Sequence, residues 1–366
     1  MRRLHSLIWP LLMLTAALLP NSSHAGIEYI LAISVDGLRG DLLKEFIETA
    51  PTEFPSFVRL RSMSAFTYNA RCDYGCSITL PNHLTMLTGR PVMQPAGTLK
   101  PVHHGYTSDF YTTETIHTNG NPAVAYKMSI FDMAHDRGLS TALYLGKNRL
   151  GICARSWDAT NGAPDTVGAD NGRGKIDFVQ IAESDTPALL ASLLAHIAGP
   201  LERFTFFHIA ETDYAGHDGG WVTTAGAYRT AVKTADAQLG QILDALQSNA
   251  ALNGKVAILL TADHGGGGGG MLTSHLAPGF IENCTIPFFL VAPGFAGGSD
   301  LYGWFANRVA PDATVRPSYT AATQPIRNGD LANLAAALLG LPPVPGALMK
   351  PELKKSATVT RAGTPR

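Results

Sequence analysis

The 366-residue chain carries 28 Lys and Arg against 29 Asp and Glu, and 45% of its residues are hydrophobic. That balance offers no basic face for nucleic acid and no polybasic stretch for anionic lipid, so an anionic partner must be drawn by local charge. The hydrophobic content can build a large core, and the length alone would allow two domains.

The first residues read as an export signal. Arg2 and Arg3 precede the apolar run 7–19, and Ser23-His24-Ala25 ends the segment in a small-residue cleavage site. Pro10 and Pro20 interrupt the run, which falls short of the ~20 apolar residues that span a bilayer. Cleavage after Ala25 leaves 26 basic against 29 acidic side chains, no membrane span, and a periplasmic or secreted protein.

Strands and helices then alternate. Tyr29–Val35 is a continuous apolar run of strand length, as expected of a strand buried on both faces. Thr141–Leu145, Phe204–Ile209, 256–260 and 286–291 read the same way. Tyr228, Val232, Ala235, Leu239, Ile242, Leu243 and Leu246 mark one face of a long amphipathic helix that Asn253-Gly254 stops. Near the end, Asp330 is expected to cap a helix over 331–339, closed by Gly340. The pattern predicts an α/β fold with a mostly parallel sheet sandwiched by helices, as a single domain over 26–350. Segments 92–125, 147–185 and 295–328 are rich in Gly, Pro, Asn, Asp and Thr and are read as irregular cap insertions over one end of the sheet. Residues 351–366 are read as a frayed tail.

Acids and histidines gather where these strands end, the usual ligand side of an open α/β sheet. Asp36 ends the first strand, Asp213 and His217 follow another, and Asp263-His264 follow a third, with His275 eleven residues on. Any one of them would pass as a turn former or a packed histidine. Together they form a carboxylate and imidazole set suited to zinc and similar ions. Thr79, in Ser77-Ile78-Thr79-Leu80-Pro81-Asn82-His83, is placed just before a helix that Pro81 opens and Gly89 stops, where backbone N–H groups favour a phosphate. Lys147 ends the strand Thr141–Leu145, and His83, His103 and His104 have no assigned role. Cys72, Cys76, Cys153 and Cys284 are an even set in an exported chain. At least one bridge is expected to brace the Thr79 turn, either Cys72–Cys76 or one of these to Cys153 or Cys284.

With these motifs in view, the chain resembles the alkaline phosphatase superfamily, and within it the nucleotide pyrophosphatase/phosphodiesterase family. Ser34-Val35-Asp36-Gly37-Leu38-Arg39 resembles the opening strand and first ligand, Thr79-Leu80-Pro81-Asn82-His83 the nucleophile turn, and Asp213, His217, Asp263, His264 and His275 the remaining ligands. The resemblance implies a hydrolase with two zinc ions acting on small-molecule phosphate esters. Asp36, Thr79, Asp263 and His264 would hold one ion, and Asp213, His217 and His275 the other. Thr79 would be the nucleophile, passing through a phosphothreonine, while Asn82 would hold a non-bridging oxygen and Lys147 would contact the substrate anion. His208, inside a strand, is the poorer alternative to His275. The short interval between His264 and His275, filled by six glycines at 265–270, departs from the family's long insertion and looks more like phosphonate hydrolases of the superfamily. Phosphomonoesterase and phosphonate hydrolase activities are the alternatives to phosphodiesterase. A sulfatase would need Cys or Ser where Thr79 stands, and a non-catalytic metal binder would be expected to have lost ligands. A bulky apolar arm of the substrate would want an aromatic slot, with Phe110, Tyr111, Tyr126 and Trp157 as candidates, and a monoester dianion would want an extra cation such as Lys147.

Overall fold

The apolar runs become the central strands of one sheet in the computed structural model, which describes residues 26–168 and 172–354. The expected signal segment and the tail beyond 354 lie outside the described residues. In chain order the strands are β1 (Tyr29–Val35), β2 (Ala65–Arg71), β3 (Thr141–Leu145), β4 (Phe178–Ile181), β5 (Phe204–Ile209), β6 (Val256–Thr261), β7 (Thr285–Val291) and β8 (Ser299–Asp300). They lie in the order β4-β3-β5-β1-β6-β7-β2-β8. The run from β4 to β6 is parallel throughout, and β7 alone is reversed, antiparallel to both β6 and β2.

Helices cover both faces: α1 (Gly40–Thr49), α2 (Pro55–Met63), α3 (Thr79–Thr88), α4 (Ile116–Asn119), α5 (Ile130–His135), α6 (Gly151–Arg155), α7 (Thr186–Ala198), α8 (Glu211–Gly219), α9 (Ala227–Ser248) and α10 (Asp330–Leu338). The apolar stripe of α9 packs against α2, α7 and α8 on one side, while α10 packs against α3, α5 and β1 on the other. With helices on both faces, β1, β3 and β5 bury nearly every side chain. Each fully buried Leu or Phe there contributes roughly 1.5–3 kcal/mol.

Three local expectations are corrected. Asp330 is the first residue of α10 rather than its cap, and its carboxylate instead holds Arg308 at 2.5 and 2.8 Å. Segment 147–185 contains α6 and the edge strand β4, and 295–328 contains the short β8. All four cysteines are free, buried thiols. Cys72 faces Cys284 across the β2–β7 pair, its N–H donating to the Cys284 carbonyl at 3.0 Å, without a covalent bridge. Beyond the expected end of the domain, Leu353 still pairs with Phe305.

Candidate active site

The central strands deliver the acids to one place. Ser34 is in register with His208 of β5 and Thr261 of β6, so Asp36 leaves β1 between the exits of its two neighbours. Asp263 follows β6, while Asp213 and His217 lie one turn apart on α8, with His217 Nε2 3.5 Å from Asp213 Oδ1. The reversed β7 brings the preceding loop, with His275, back over the same end of the sheet. Its imidazole stacks on His264 at 3.7 Å between ring centres.

Each carboxylate is held by one oxygen and presents the other. Asp36 Oδ2 accepts from His208 Nε2 at 3.0 Å and pairs with Lys147 Nζ at 2.8 Å, while Oδ1 faces Thr79 and His264, each 3.5 Å away. Asp263 Oδ1 accepts the N–H groups of Gly37 and His264 at 3.0 and 2.9 Å, and its buried Oδ2 has no hydrogen-bond partner. Asp213 Oδ2 takes Lys147 Nζ at 2.6 Å, and its buried Oδ1 is likewise unpartnered.

The histidines repeat the arrangement. His264, His275 and His217 place Nδ1 against the carbonyls of Gly265, Ser77 and Thr273 at 2.7, 2.5 and 2.9 Å. A neutral imidazole that donates its Nδ1 proton there directs the Nε2 lone pair into the cluster, the tautomer a metal ligand needs. His217 Nε2 and His275 Nε2 stand only 3.2 Å apart, and two such lone pairs repel unless a cation lies between them. Asp213, His264 and His275 converge closely enough to hold a cation, with His217 beside His275, and so do Asp36, Asp263 and His264, with Thr79 Oγ1 and Asp263 Oδ2 each 3.1 Å from His264 Nε2. All seven residues expected as ligands lie together in this connected cluster, and its donor chemistry fits metal binding.

The electrostatics point the same way. Burial disfavours the Asp36 charge, but Lys147 and the His208 hydrogen bond outweigh it and hold the carboxyl well below its usual range. Burial and the charges of Asp36 and Asp213 push the Asp263 carboxyl well above that range. Burial also pushes His275 down to about 3, so it is neutral. Two buried carboxylates thus share the single ammonium of Lys147, while the third, Asp263, is favoured in its protonated form, a proton that a bound cation would displace.

Thr79 is the first residue of α3, and Ile78 occupies the cap position without a side-chain bond, so the Thr79 hydroxyl does not cap the helix. Its N–H has no acceptor among the described residues. Asn82 is fully buried and its carboxamide is engaged throughout: Oδ1 accepts from Asp73 N and Asn328 Nδ2, and Nδ2 donates to the carbonyls of Cys76 and Ile78. It braces the turn. Lys147 is also fully buried, its ammonium committed to Asp36 and Asp213.

Of the aromatic candidates, Trp157 is buried with its N–H on the Lys127 carbonyl, and Tyr126 donates to Asp132 at 2.6 Å. Phe110 and Tyr111 are exposed. His103 and His104 tie segment 92–125 together, His104 Nε2 lying 3.0 Å from the Thr85 hydroxyl of α3. Sequence reasoning gave no role to His83, whose Nδ1 lies 2.8 Å from the Thr79 carbonyl and which burial keeps neutral, near 3. It also missed Ser77, whose hydroxyl donates to the His275 carbonyl at 2.5 Å. His208 was ranked only as a substitute ligand, yet it orients Asp36. Its alignment with Ser34, two residues before that acid, is the one signal that could have found it.

The sequence profile for type I phosphodiesterase/nucleotide pyrophosphatase matches residues 30–269. The chain belongs to that family. Members are hydrolases of phosphodiester and pyrophosphate bonds, and the matched segment carries every site residue above except Thr273, His275 and Asn328. No curated protein sequence matches the chain. Among solved structures, murine ectonucleotide pyrophosphatase/phosphodiesterase 5 aligns with a TM-score of 0.56 at 12% identity, over 87% of this chain and 96% of that one. An alkaline phosphatase superfamily protein from Vibrio parahaemolyticus gives 0.54 at 12%, over 88% and 69%. The lipoteichoic acid synthase LtaP from Listeria monocytogenes gives 0.55 at 11%, over 90% and 78%. These likenesses establish the alkaline phosphatase-like fold.

Proposed function

We propose that the protein is an exported two-metal hydrolase of phosphate esters, of phosphodiesterase/nucleotide pyrophosphatase type, with Thr79 as nucleophile. The observation that carries this reading is the matched set of half-held carboxylates and pre-set imidazoles around the Thr79 hydroxyl. Asp36, Thr79, Asp263 and His264 would hold one ion, and Asp213, His217 and His275 the other, with zinc favoured by the mixed nitrogen and carboxylate donors. Such ions supply Lewis-acid charge that makes a neighbouring hydroxyl or water acidic and offsets charge on phosphoryl oxygens.

The chain's own residues do the rest. Thr79 Oγ1 attacks phosphorus in line, the bond to the leaving oxygen breaks, and a phosphothreonine forms that water then hydrolyses. The unpartnered Thr79 N–H, at a helix start, is placed to donate to a non-bridging oxygen as charge gathers there. Lys147 holds Asp36 and Asp213 apart and in place, so its effect on the substrate anion is exerted through them. A murine relative has been solved in an inactive threonine-to-alanine form with AMP, which supports both the nucleophile and a small phosphate ester as substrate. Among the described residues no helix is long and apolar enough to cross a membrane, and export rests on residues 1–25.

The test is a turnover screen of purified, zinc-loaded protein on aryl phosphate diesters, monoesters, phosphonates and sulfates, with acid quench to trap phosphate on Thr79. Turnover of a phosphate ester with label on Thr79 is expected. Turnover of sulfates alone would replace the reading with sulfatase chemistry.

A further inference from the structure

An arginine is always charged, so burying one without an anion beside it leaves a charge uncompensated inside the fold. The segment before α10 holds such charges. Arg71 N donates to the Ile326 carbonyl at 2.9 Å and Asn328 N to the Arg71 carbonyl at 3.0 Å, which lays residues 326–328 along the end of β2. Arg71, Arg308 and Arg327 are all buried in this region. Arg308 is paired with both oxygens of Asp330. Arg71 gives its donors to carbonyl oxygens of Asn69, Ala70, Asp312 and Val315, and makes no ion pair among the described residues. Arg327 makes none either. Its Nη1 donates to the Cys72 carbonyl at 3.1 Å and its Nη2 to that of Pro317 at 2.5 Å, while the buried Nε has no partner. The Tyr319 ring, 4.6 Å from the guanidinium, offsets part of its lost hydration. The other buried acid here, Asp73, accepts from Gly75 N, Val92 N and the Tyr319 hydroxyl, and burial raises its carboxyl above the ordinary value. Three guanidinium groups against two carboxyls leave at least one positive charge unbalanced. Beside them a cavity of about 80 Å³ is lined by Arg308, Arg327, Tyr319, Pro325, Leu348 and Met349, among others.

We propose that this cavity binds one chloride ion, with Arg327 Nε–H as its donor and the Arg308 and Arg327 guanidinium groups as its counter-charge. The space exceeds the roughly 10–15 Å³ that admits one water, and is too small for an organic acid of any length. Water would satisfy Nε but would leave the charge unbalanced. A tetrahedral oxyanion would bring several acceptor oxygens to a lining that offers a single unpartnered N–H and is partly apolar. A halide has no fixed acceptor directions and suits that lining. The site does not depend on the hydrolase reading. Its occupant would still bear on the candidate active site, because Asn328, next to Arg327, donates to Asn82 Oδ1 and to the Asp263 carbonyl at 2.9 and 3.0 Å. The ion would steady the segment that braces the Thr79 turn from behind.

Thermal melts of the zinc-loaded protein in sodium chloride, bromide and gluconate, at equal ionic strength and pH, test the site. Chloride and bromide are each expected to raise the melting temperature by about 2 °C over gluconate once the halide is in roughly tenfold excess over its Kd. Arg327→Gln should melt alike in all three salts. Crystals of the wild type soaked in bromide should show an anomalous peak beside Arg327 Nε. Equal melting of the wild type in halide and gluconate overturns the proposal, and a bromide peak in that case marks an adventitious ion only. Soaked crystals without a peak in the cavity overturn it as well. So does a halide shift that Arg327→Gln retains, since the ion then sits elsewhere, as at the histidine and carboxylate cluster. Should Arg327→Gln fail to fold, the wild-type melts and the bromide position decide by themselves.

Discussion

Thr79 separates a catalytic hydroxyl from a structural one. Because its side chain makes no capping bond, Thr79→Ala should leave the melting temperature nearly unchanged while turnover falls by more than about 1,000-fold. A cap would show the reverse, with ~1 kcal/mol of stability lost and activity kept. Kinetics and thermal melts on one preparation distinguish these, and Thr79→Ser should keep part of the activity. His208 offers a second test, since its Nδ1 accepts from Gly146 N–H and its Nε2–H is thereby fixed on Asp36. His208→Ala should weaken zinc binding about 10–100-fold in a chelator competition, with no change in the ligand set itself.

Lys127 gives a pH-dependent test away from the site. It is fully buried with one acceptor, the His117 carbonyl at 3.0 Å, and burial, with Arg90 nearby, pushes its ammonium down to about 8. The unfolded value is near ~10.4, so between these limits the unfolded chain binds more protons and stability rises with pH. Lys127→Met should therefore be relatively most stabilising at pH 7, with its advantage shrinking as pH climbs through that window. Urea unfolding of both proteins at pH 7 and pH 10 checks the sign.

At the level of elements, the glycines at 265–268 form a packed turn. A Cβ on Gly266 would lie 2.2 Å from the Trp221 ring, and one on Gly265 would lie 2.1 Å from the Glu282 carbonyl. Trp221 also donates to the Gly37 carbonyl at 2.7 Å and packs against His217 and His275. Gly266→Ala should cost about 1–3 kcal/mol through overpacking and shift Trp221 fluorescence. A mobile lid would tolerate the change.

The same scale shows what the sequence could disclose. β1, β3 and β5 were legible to the residue because burial on both faces writes a continuous apolar run. β2 was not: three of its seven side chains are only partly buried, and its pairing with β7 shifts register between Thr67 and Ala70. β4 is a four-residue edge strand that buries none of its side chains fully, so it left no apolar run inside 147–185. The ligand residues stood out because each follows a legible strand or its loop. Their supports did not, since His208 lies inside a strand and Ser77 acts through a contact 198 residues away. Asn82 and Lys147 were recognised as site residues, but their partners, which make them braces, come from β1, α8 and the loop before α10.

For the whole molecule, metal content and folding should be linked. Two buried carboxylates on one ammonium, with unpartnered oxygens on Asp213 and Asp263, make the stripped protein less stable than the loaded one. Elemental analysis should find two metal ions per chain, and a chelator should lower the melting temperature, with zinc restoring it. A chelated sample that melts unchanged would remove the metal pair from the proposal.

The reversed strand β7 carries a consequence for how this fold can grow. A parallel neighbour of β6 would force the chain to cross the whole sheet before pairing, fixing a long connection. Because β7 runs the other way, the chain turns back at the end of the sheet where the acids and histidines gather, and residues 262–284 need only close a hairpin-like return. Its inner part is locked by Trp221 and the two histidines, but Leu276 and Phe280 lie exposed on its outer side. New sequence spliced at Gly279, where an added Cβ would meet nothing within 4 Å, would lie outside every strand and four residues from His275. Recognition of larger substrates can thus be added to this scaffold by extending one loop, leaving the chemistry beneath it untouched.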